Sequence, residues 1–164
     1  MAQIYISLGS NVDREKHTRA GLQALHQSFG ELQLSSLFES EAVGFDGKPF
    51  YNMVIGAITT KTMPEVAHLL KQIEADNGRV RGGKKFSPRT LDLDLLLYDD
   101  LVTDELVQLP RGEILYNAFV LWPLAEIAPE RRHPLVQQSY AQLWQDFDKN
   151  KQQLWTIPFS WTPE

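Results

Sequence analysis

The segment TMPEVAHLLKQIEADNG, residues 62–78, states its conformation most clearly. Thr62, with Glu65 three residues on, has the form of a capping box, and Pro64 stands in the first turn. Val66, Leu69, Leu70 and Ile73 then fall at i, i+3, i+4 and i+7, one apolar face of an α-helix, and Gly78 ends it. On the N-terminal side, Met53 to Ile58 is a continuous apolar run, which predicts a strand buried on both faces. On the C-terminal side, Leu91 to Tyr98 predicts a further strand.

Farther out, Ile4, Ile6 and Leu8 alternate as a strand does. Gly9-Ser10-Asn11 reads as a turn leading to a helix N-cap. Leu22, Leu25 and Phe29 share one helical face, which Gly30 closes. Leu32, Leu34 and Phe38 predict a second strand. After Tyr98 the next clear element is a short helix near Phe119 to Ile127, interrupted by Pro123. Trp144, Trp155 and Trp161 in the tail read as packing residues. The order strand, helix, strand, strand, helix, strand is the split β-α-β pattern. It predicts a ferredoxin-like α+β sandwich, a mostly antiparallel sheet with helices packed on it.

Composition narrows the chemistry. With 164 residues, 43% of them hydrophobic and 23% charged, the chain reads as one globular domain over 1–164. The net charge of −5 argues against a surface devoted to nucleic acid. There are no cysteines, so disulfides, thiolate metal sites and a catalytic thiol are excluded. His17, His26, His68 and His133 lack metal-ligand spacing, so any metal here is expected to be a hard cation with oxygen ligands. No run reaches membrane-spanning length and the N-terminus lacks a leader pattern, which sets the expectation of a cytoplasmic protein.

The chemistry concentrates in GRVRGGKKFSPRTLDLD, residues 78–94. Arg79, Arg81, Lys84, Lys85 and Arg89 put five cations into a short Gly-containing loop of an acidic chain. Such a loop is either a solvated surface or an anion cradle. Asp92 and Asp94 lie two apart on a strand, so both carboxylates face one side, roughly 6.6 Å apart along the chain. Leu91, Leu93, Leu95 and Leu97 are expected on the other side, in the core. Neighbouring carboxylates repel unless a cation lies between them. Magnesium takes one or two carboxylates and completes its shell with water and phosphate oxygens. The pair therefore reads as a metal–phosphate site, or else as two surface aspartates each paired with an arginine.

Gly78 to Lys84 nearly spells a P-loop, but Lys85 stands where Ser or Thr is required. The segment also follows a helix and opens a strand, the reverse of a P-loop, and Pro88 sits where the helix would run. Phosphate contacts would come from arginine forks instead. Glu74, at the border of the helical stripe, either faces solvent or reaches a ligand near the loop.

At this point the sequence resembles the 6-hydroxymethyl-7,8-dihydropterin pyrophosphokinase family. The carrying segments are the N-terminal L-G-S-N, Gly44, Phe50-Tyr51-Asn52, Glu74 with Gly78-Arg79-Val80-Arg81, P-R-T-L-D-L-D over 88–94, and F-V-L-W-P-L-A-E-I-A-P over 119–129. The resemblance implies an α+β fold and an ATP-dependent diphosphokinase with two magnesium ions. It would transfer pyrophosphate from ATP to hydroxymethyldihydropterin in folate biosynthesis and release AMP. It implies that Asp92 and Asp94 hold the metals and that Arg79 and Arg89 assist transfer. Phe50 and Phe119 would sandwich the pterin, with Asn52 and the Val43 backbone on its polar edge. Glu74, Arg81 and Phe86 would lie on the ATP side. The partners implied are small molecules alone, with no nucleic acid and no membrane, and the chain is expected to be a monomer.

The sequence departs from the family on the nucleotide side. The family has a histidine after the proline at Pro110 and an arginine just before the F-V-L segment. Here Arg111 and Asn117 stand at those places, and Ala42 replaces a usual proline. Arg111 is the candidate to restore the missing charge. The departures leave a second reading open, a diverged paralogue that binds pterin or nucleotide with little transfer. A third, a ferredoxin-like RNA-binding module, lacks its aromatic strand signature here.

Overall fold

The computed structural model of the chain describes residues 1–40, 49–78 and 90–163. In chain order its elements are β1 (Ala2–Ser10), α1 (Arg14–Phe29), β2 (Gln33–Leu34), β3 (Leu37–Ser40), β4 (Phe50–Thr59), α2 (Met63–Asp76) and β5 (Asp92–Tyr98). A 3-10 turn over Gly112–Leu115 follows, then α3 (Ala118–Ile127), α4 (Tyr140–Asp146) and β6 (Leu154–Ile157). The strands form one sheet in the order β5-β1-β4-β3-β6, with β2 also paired to β4, and every named pairing is antiparallel. The expected α+β sandwich is thus the observed architecture.

Side-chain alternation sorts the sheet into two buried faces. On one, Ile4, Ile6, Leu8, Met53, Ile55, Leu93 and Leu95 pack with Leu22 and Leu25 of α1 and Val66, Leu70 and Ile73 of α2. On the other, Tyr5, Val54, Leu96 and Leu97 pack with Val120, Leu121 and Leu124 of α3 and Tyr140 of α4. An aromatic column links sheet, α3 and α4 on this second face. Phe38 meets Trp122 at 4.7 Å, Trp122 stacks on Trp144 at 5.1 Å, and Trp144 stacks on Phe147 at 5.6 Å.

The capping box forms as expected. Thr62 N–H donates to Glu65 Oε1 at 2.8 Å and Glu65 N–H to Thr62 Oγ1 at 3.4 Å. The Thr62 backbone N–H foremost, then the Thr62 side chain, holds the Glu65 carboxyl below its ordinary range.

Several local expectations are corrected. Gly9 and Ser10 belong to β1 rather than to a turn, and Asp13 in the left-handed region (φ 44°) precedes α1 without a side-chain cap. The second strand is two pieces, β2 and β3. The buried run in β4 stops at Ala57, since Ile58 is exposed. Helix α3 runs unbroken through Pro123, which lies buried inside it. Leu97 does not share the face of Leu91, Leu93 and Leu95. The β1–β5 register shifts between Tyr5 and Ile6, which inserts Leu96 and turns Leu97 toward Tyr5 on the second face. In the tail, Trp144 packs as expected, whereas Trp155 is 41% exposed and donates Nε1–H to Glu39 at 3.1 Å. The edge strand β6 that carries Trp155 has too short an apolar pattern to be read from sequence.

Candidate functional site

The strand registers assemble the site. Asp92 lies opposite Gly9, Gly9 opposite Asn52, and Asn52 opposite Phe38, a row that crosses β5, β1, β4 and β3. Directly paired residues point to the same face, so Asp92, Gly9 and Asn52 all look toward the second face. Asp94 follows opposite Ser7 on that same face, while Leu91, Leu93 and Leu95 lie in the opposite core. The same-face reading of Asp92 and Asp94 therefore holds. Two strand spacings put Asp92 and Asn52 about 10 Å apart.

Gly9 is the bare position between them. A Cβ there would stand 3.2 Å from Asn52 Oδ1 and 4.0 Å from Asp92 Cβ. The Asn52 amide is buried and oriented, its Nδ2 donating to Ser40 Oγ at 3.1 Å. Phe50 is half-buried on β4, two residues from Asn52 and on its face. Phe119, also half-buried, lies in the first turn of α3 and packs against the second-face core. Ser10 ties β1 to the start of β5 by donating Oγ–H to the Thr90 carbonyl at 2.6 Å.

Glu74 is 1% exposed, so its solvent-facing reading is overturned. It reaches across from α2, and its Oε2 accepts the Leu93 N–H at 2.8 Å. A buried carboxylate thereby fixes the backbone between the two aspartates. Sequence could not show this contact, because it depends on α2 lying against β5.

Arg111 is brought to the carboxylates. Its backbone N–H donates to the Leu96 carbonyl at 3.0 Å, which holds the segment alongside β5. Its Nη2 lies 3.6 Å from Asp94 Oδ2 and 2.6 Å from Glu113 Oε1, and its Nε donates to Glu113 Oε1 at 2.9 Å. Burial by itself would lower the guanidinium's proton affinity. Asp94 and Glu113, with a smaller contribution from Asp92, outweigh it and hold the group charged above its ordinary value. Asn117 has no phosphate-facing fork. It sits at the start of α3, where its Nδ2 donates to Glu113 Oε2 at 2.7 Å and its Oδ1 accepts from Gln152 Nε2 at 3.1 Å. Glu113 and Gln152 carry no signal in the sequence that would single them out.

Val43, Arg79, Arg81, Phe86 and Arg89 lie outside the described residues. Among the described residues no group of three or more His, Asp or Glu side chains is poised for a metal. Asp92 and Asp94 form a half-buried, all-oxygen pair on one face, and Asp94 already faces a cation, Arg111. That donor set fits a hard cation that takes two carboxylates and fills its other positions with phosphate and water.

A family model described as 7,8-dihydro-6-hydroxymethylpterin-pyrophosphokinase matches residues 5–129. The chain is 38% identical to a 2-amino-4-hydroxy-6-hydroxymethyldihydropteridine pyrophosphokinase of Bacillus subtilis, over 77% of this chain and 78% of the relative. It is 33% identical to the Aquifex aeolicus protein of that name, over 82% of this chain and 86% of the relative. Among solved structures it resembles wild-type HPPK-DHPS of Plasmodium falciparum with pteroate. The TM-score is 0.70 at 13% identity, covering 88% of this chain and 42% of the solved one, a likeness of fold alone.

Proposed function

Because this chain belongs to the 7,8-dihydro-6-hydroxymethylpterin-pyrophosphokinase family, we propose that the second sheet face, at Asp92, Gly9 and Asn52, is where it transfers pyrophosphate from ATP to 6-hydroxymethyl-7,8-dihydropterin. The products are AMP and the pterin diphosphate. The observation that carries this is the row itself. Two same-face carboxylates, a position without a side chain and an oriented amide stand side by side across three strands.

Each part has a task. The pterin's hydroxymethyl oxygen attacks the β-phosphorus and gives up its proton to water, the bond from that phosphorus to the α-bridging oxygen breaks, and AMP departs with the bridging oxygen. No protein nucleophile is needed, since such transfers depend on positioning and charge stabilisation. Asn52 orients the polar edge of the pterin, with Phe50 and Phe119 against its faces and the Val43 backbone beside it. Asp92 and Asp94 would hold magnesium, taken as two ions, which would supply positive charge to the triphosphate. Glu74 lies on the ATP side and braces the strand between those aspartates. Arg79 and Arg89 stabilise developing charge, while Arg81, Phe86 and Arg111 bind ATP, and ion-pair chemistry of this kind suits arginine.

The acidic net charge of −5 supports small-molecule partners over nucleic acid. Among the described residues no helix is long and apolar enough to cross a membrane. A single domain over 1–164, acting as a monomer in the cytoplasm, completes the proposal. The deciding experiment measures AMP and pterin diphosphate formed from ATP, hydroxymethyldihydropterin and magnesium. Stoichiometric production of both is expected, and binding of both substrates without AMP release would favour the diverged paralogue instead.

A further inference from the structure

We infer that Glu113 is the positioning residue for Arg111, holding the guanidinium at the rim of the Asp92–Asp94 pair so that it meets the ATP phosphates. This rests on the proposed nucleotide role of Arg111 and adds a residue that neither motif nor composition singles out.

The geometry is a chain of bonds that ends at the site. Glu113 Oε1 takes both Nε and Nη2 of Arg111, at 2.9 and 2.6 Å. That grip fixes one edge of the guanidinium plane and sets its Nη2 3.6 Å from Asp94 Oδ2, a loose contact compared with the Glu113 bonds. Among the described residues nothing bonds Nη1, which leaves a donor on the far side of the fork. Glu113 is itself fixed from behind. Its Oε2 accepts Asn117 Nδ2 at 2.7 Å, and Asn117 Oδ1 accepts Gln152 Nε2 at 3.1 Å. The Gln152 Oε1 in turn accepts the Ala118 N–H, so the tail locks the start of α3.

A carboxylate beside a triphosphate site is repulsive taken alone. Its presence is explained by what Arg111 would do without it. Besides Glu113, the carboxylate nearest to the guanidinium is Asp94, 3.6 Å from Nη2, with Asp92 beside it on the same strand face. A released guanidinium would settle between those carboxylates, where it would compete with a metal cation and turn its fork away from the nucleotide. Glu113 offsets that pull.

Calorimetry of a non-hydrolysable ATP analogue with magnesium tests the inference in a double-mutant cycle, with melting temperatures followed alongside. Arg111→Ala is expected to weaken analogue binding about tenfold, the size of one charge-assisted bond. Glu113→Ala is expected to weaken it severalfold, to leave the melting temperature nearly unchanged, and to raise KM for ATP more than it lowers kcat. Glu113→Gln, which keeps an oxygen acceptor, should lie between. In the Arg111→Ala background, Glu113→Ala should cause no further loss, and a slight gain as the unpaired carboxylate's repulsion is removed, because Glu113 helps only through the arginine. Equal losses in both backgrounds, or a loss that tracks a lower melting temperature, would make Glu113 structural and overturn the inference. Tighter binding in Glu113→Ala would overturn it too. If Arg111→Ala binds the analogue like the parent chain, the nucleotide role of Arg111 itself fails, and this inference falls with it.

Discussion

The two faces of the sheet differ in how far their helices reach. On the first face, α1 and α2, 16 and 14 residues long, meet an unbroken apolar surface. On the second, α3 has ten residues and spans about 15 Å, at 1.5 Å per residue. The ten-residue strand β4 beneath it spans about 33 Å. The apolar residues of the second face, Tyr5, Val54, Leu96 and Leu97, gather under α3, and the polar row Asp92, Gly9 and Asn52 begins beyond them. A sheet face covered by a short helix divides into a packed half and a chemical half. The face covered by the longer helices contributes packing and reaches the site through Glu74's bond to Leu93.

The sharpest test of that division exchanges loss of function for loss of stability. Asp92→Ala or Asp94→Ala should lower kcat by roughly 10³-fold or more while leaving the melting temperature nearly unchanged. Both side chains are half-buried at the edge strand, and neither belongs to an apolar cluster. Near-normal turnover in both variants would sink the metal assignment. Leu22→Ala, on the first face and 0% exposed, should do the reverse. It should cost about 2–5 kcal/mol of stability, with kcat per folded molecule preserved. Denaturant unfolding and steady-state kinetics on the same preparations would show whether the two kinds of loss separate.

That division was partly legible in the chain. Period-two spacing placed Asp92 and Asp94 together opposite Leu91, Leu93 and Leu95, because a regular strand fixes the side of every residue. The same logic failed at Leu97. The irregularity opposite Tyr5 and Ile6 is a property of the pairing, and no local pattern announces it. Glu74 was read as a surface or ligand-facing carboxylate because its helix shows only its own stripe. Its bond to Leu93 spans 19 residues and exists only once α2 docks on β5. The exchange between Glu113, Asn117 and Gln152 joins the tail to α3 over more than thirty residues, again beyond the reach of periodicity. The pattern in the chain supplied most of the elements and the same-face pair Asp92 and Asp94. What lay hidden were the contacts between elements that hold it rigid.

Gly9 offers a smaller test within the chemical half. Gly9→Ala puts a methyl group 3.2 Å from Asn52 Oδ1, so the oriented amide must give way by a few tenths of an ångström. Overpacking of this kind costs about 1–3 kcal/mol. If Asn52 reads the polar edge of the pterin, that displacement should raise KM for the pterin about tenfold, with KM for ATP little affected. An equal rise in both would mean that the row does not divide into pterin and nucleotide ends. An unchanged pterin KM would remove Asn52 from the pterin's recognition.

The smallest expected effect lies in the packed half of the second face and concerns pH. His133 follows α3, is 1% exposed, and has its ring 6.3 Å from that of Tyr140. Its Nδ1 accepts the backbone N–H groups of Leu135 and Val136, at 3.1 and 3.3 Å, so the neutral ring carries its proton on Nε2. Protonation would place a hydrogen on Nδ1 and break both bonds. Burial lowers its pKa below the ordinary 6.5, in keeping with that geometry. The folded protein then binds this proton less readily than the unfolded chain, so stability rises with pH across the window between the folded pKa and 6.5. The penalty is fully present below the folded pKa and is gone above 6.5. In His133→Asn the side-chain oxygen can still accept from the turn, and no group titrates there. The parent chain should therefore lose melting temperature between pH 7.5 and 5 by about a degree more than the variant. Curves that stay parallel across that range would show that His133 does not couple the turn to pH.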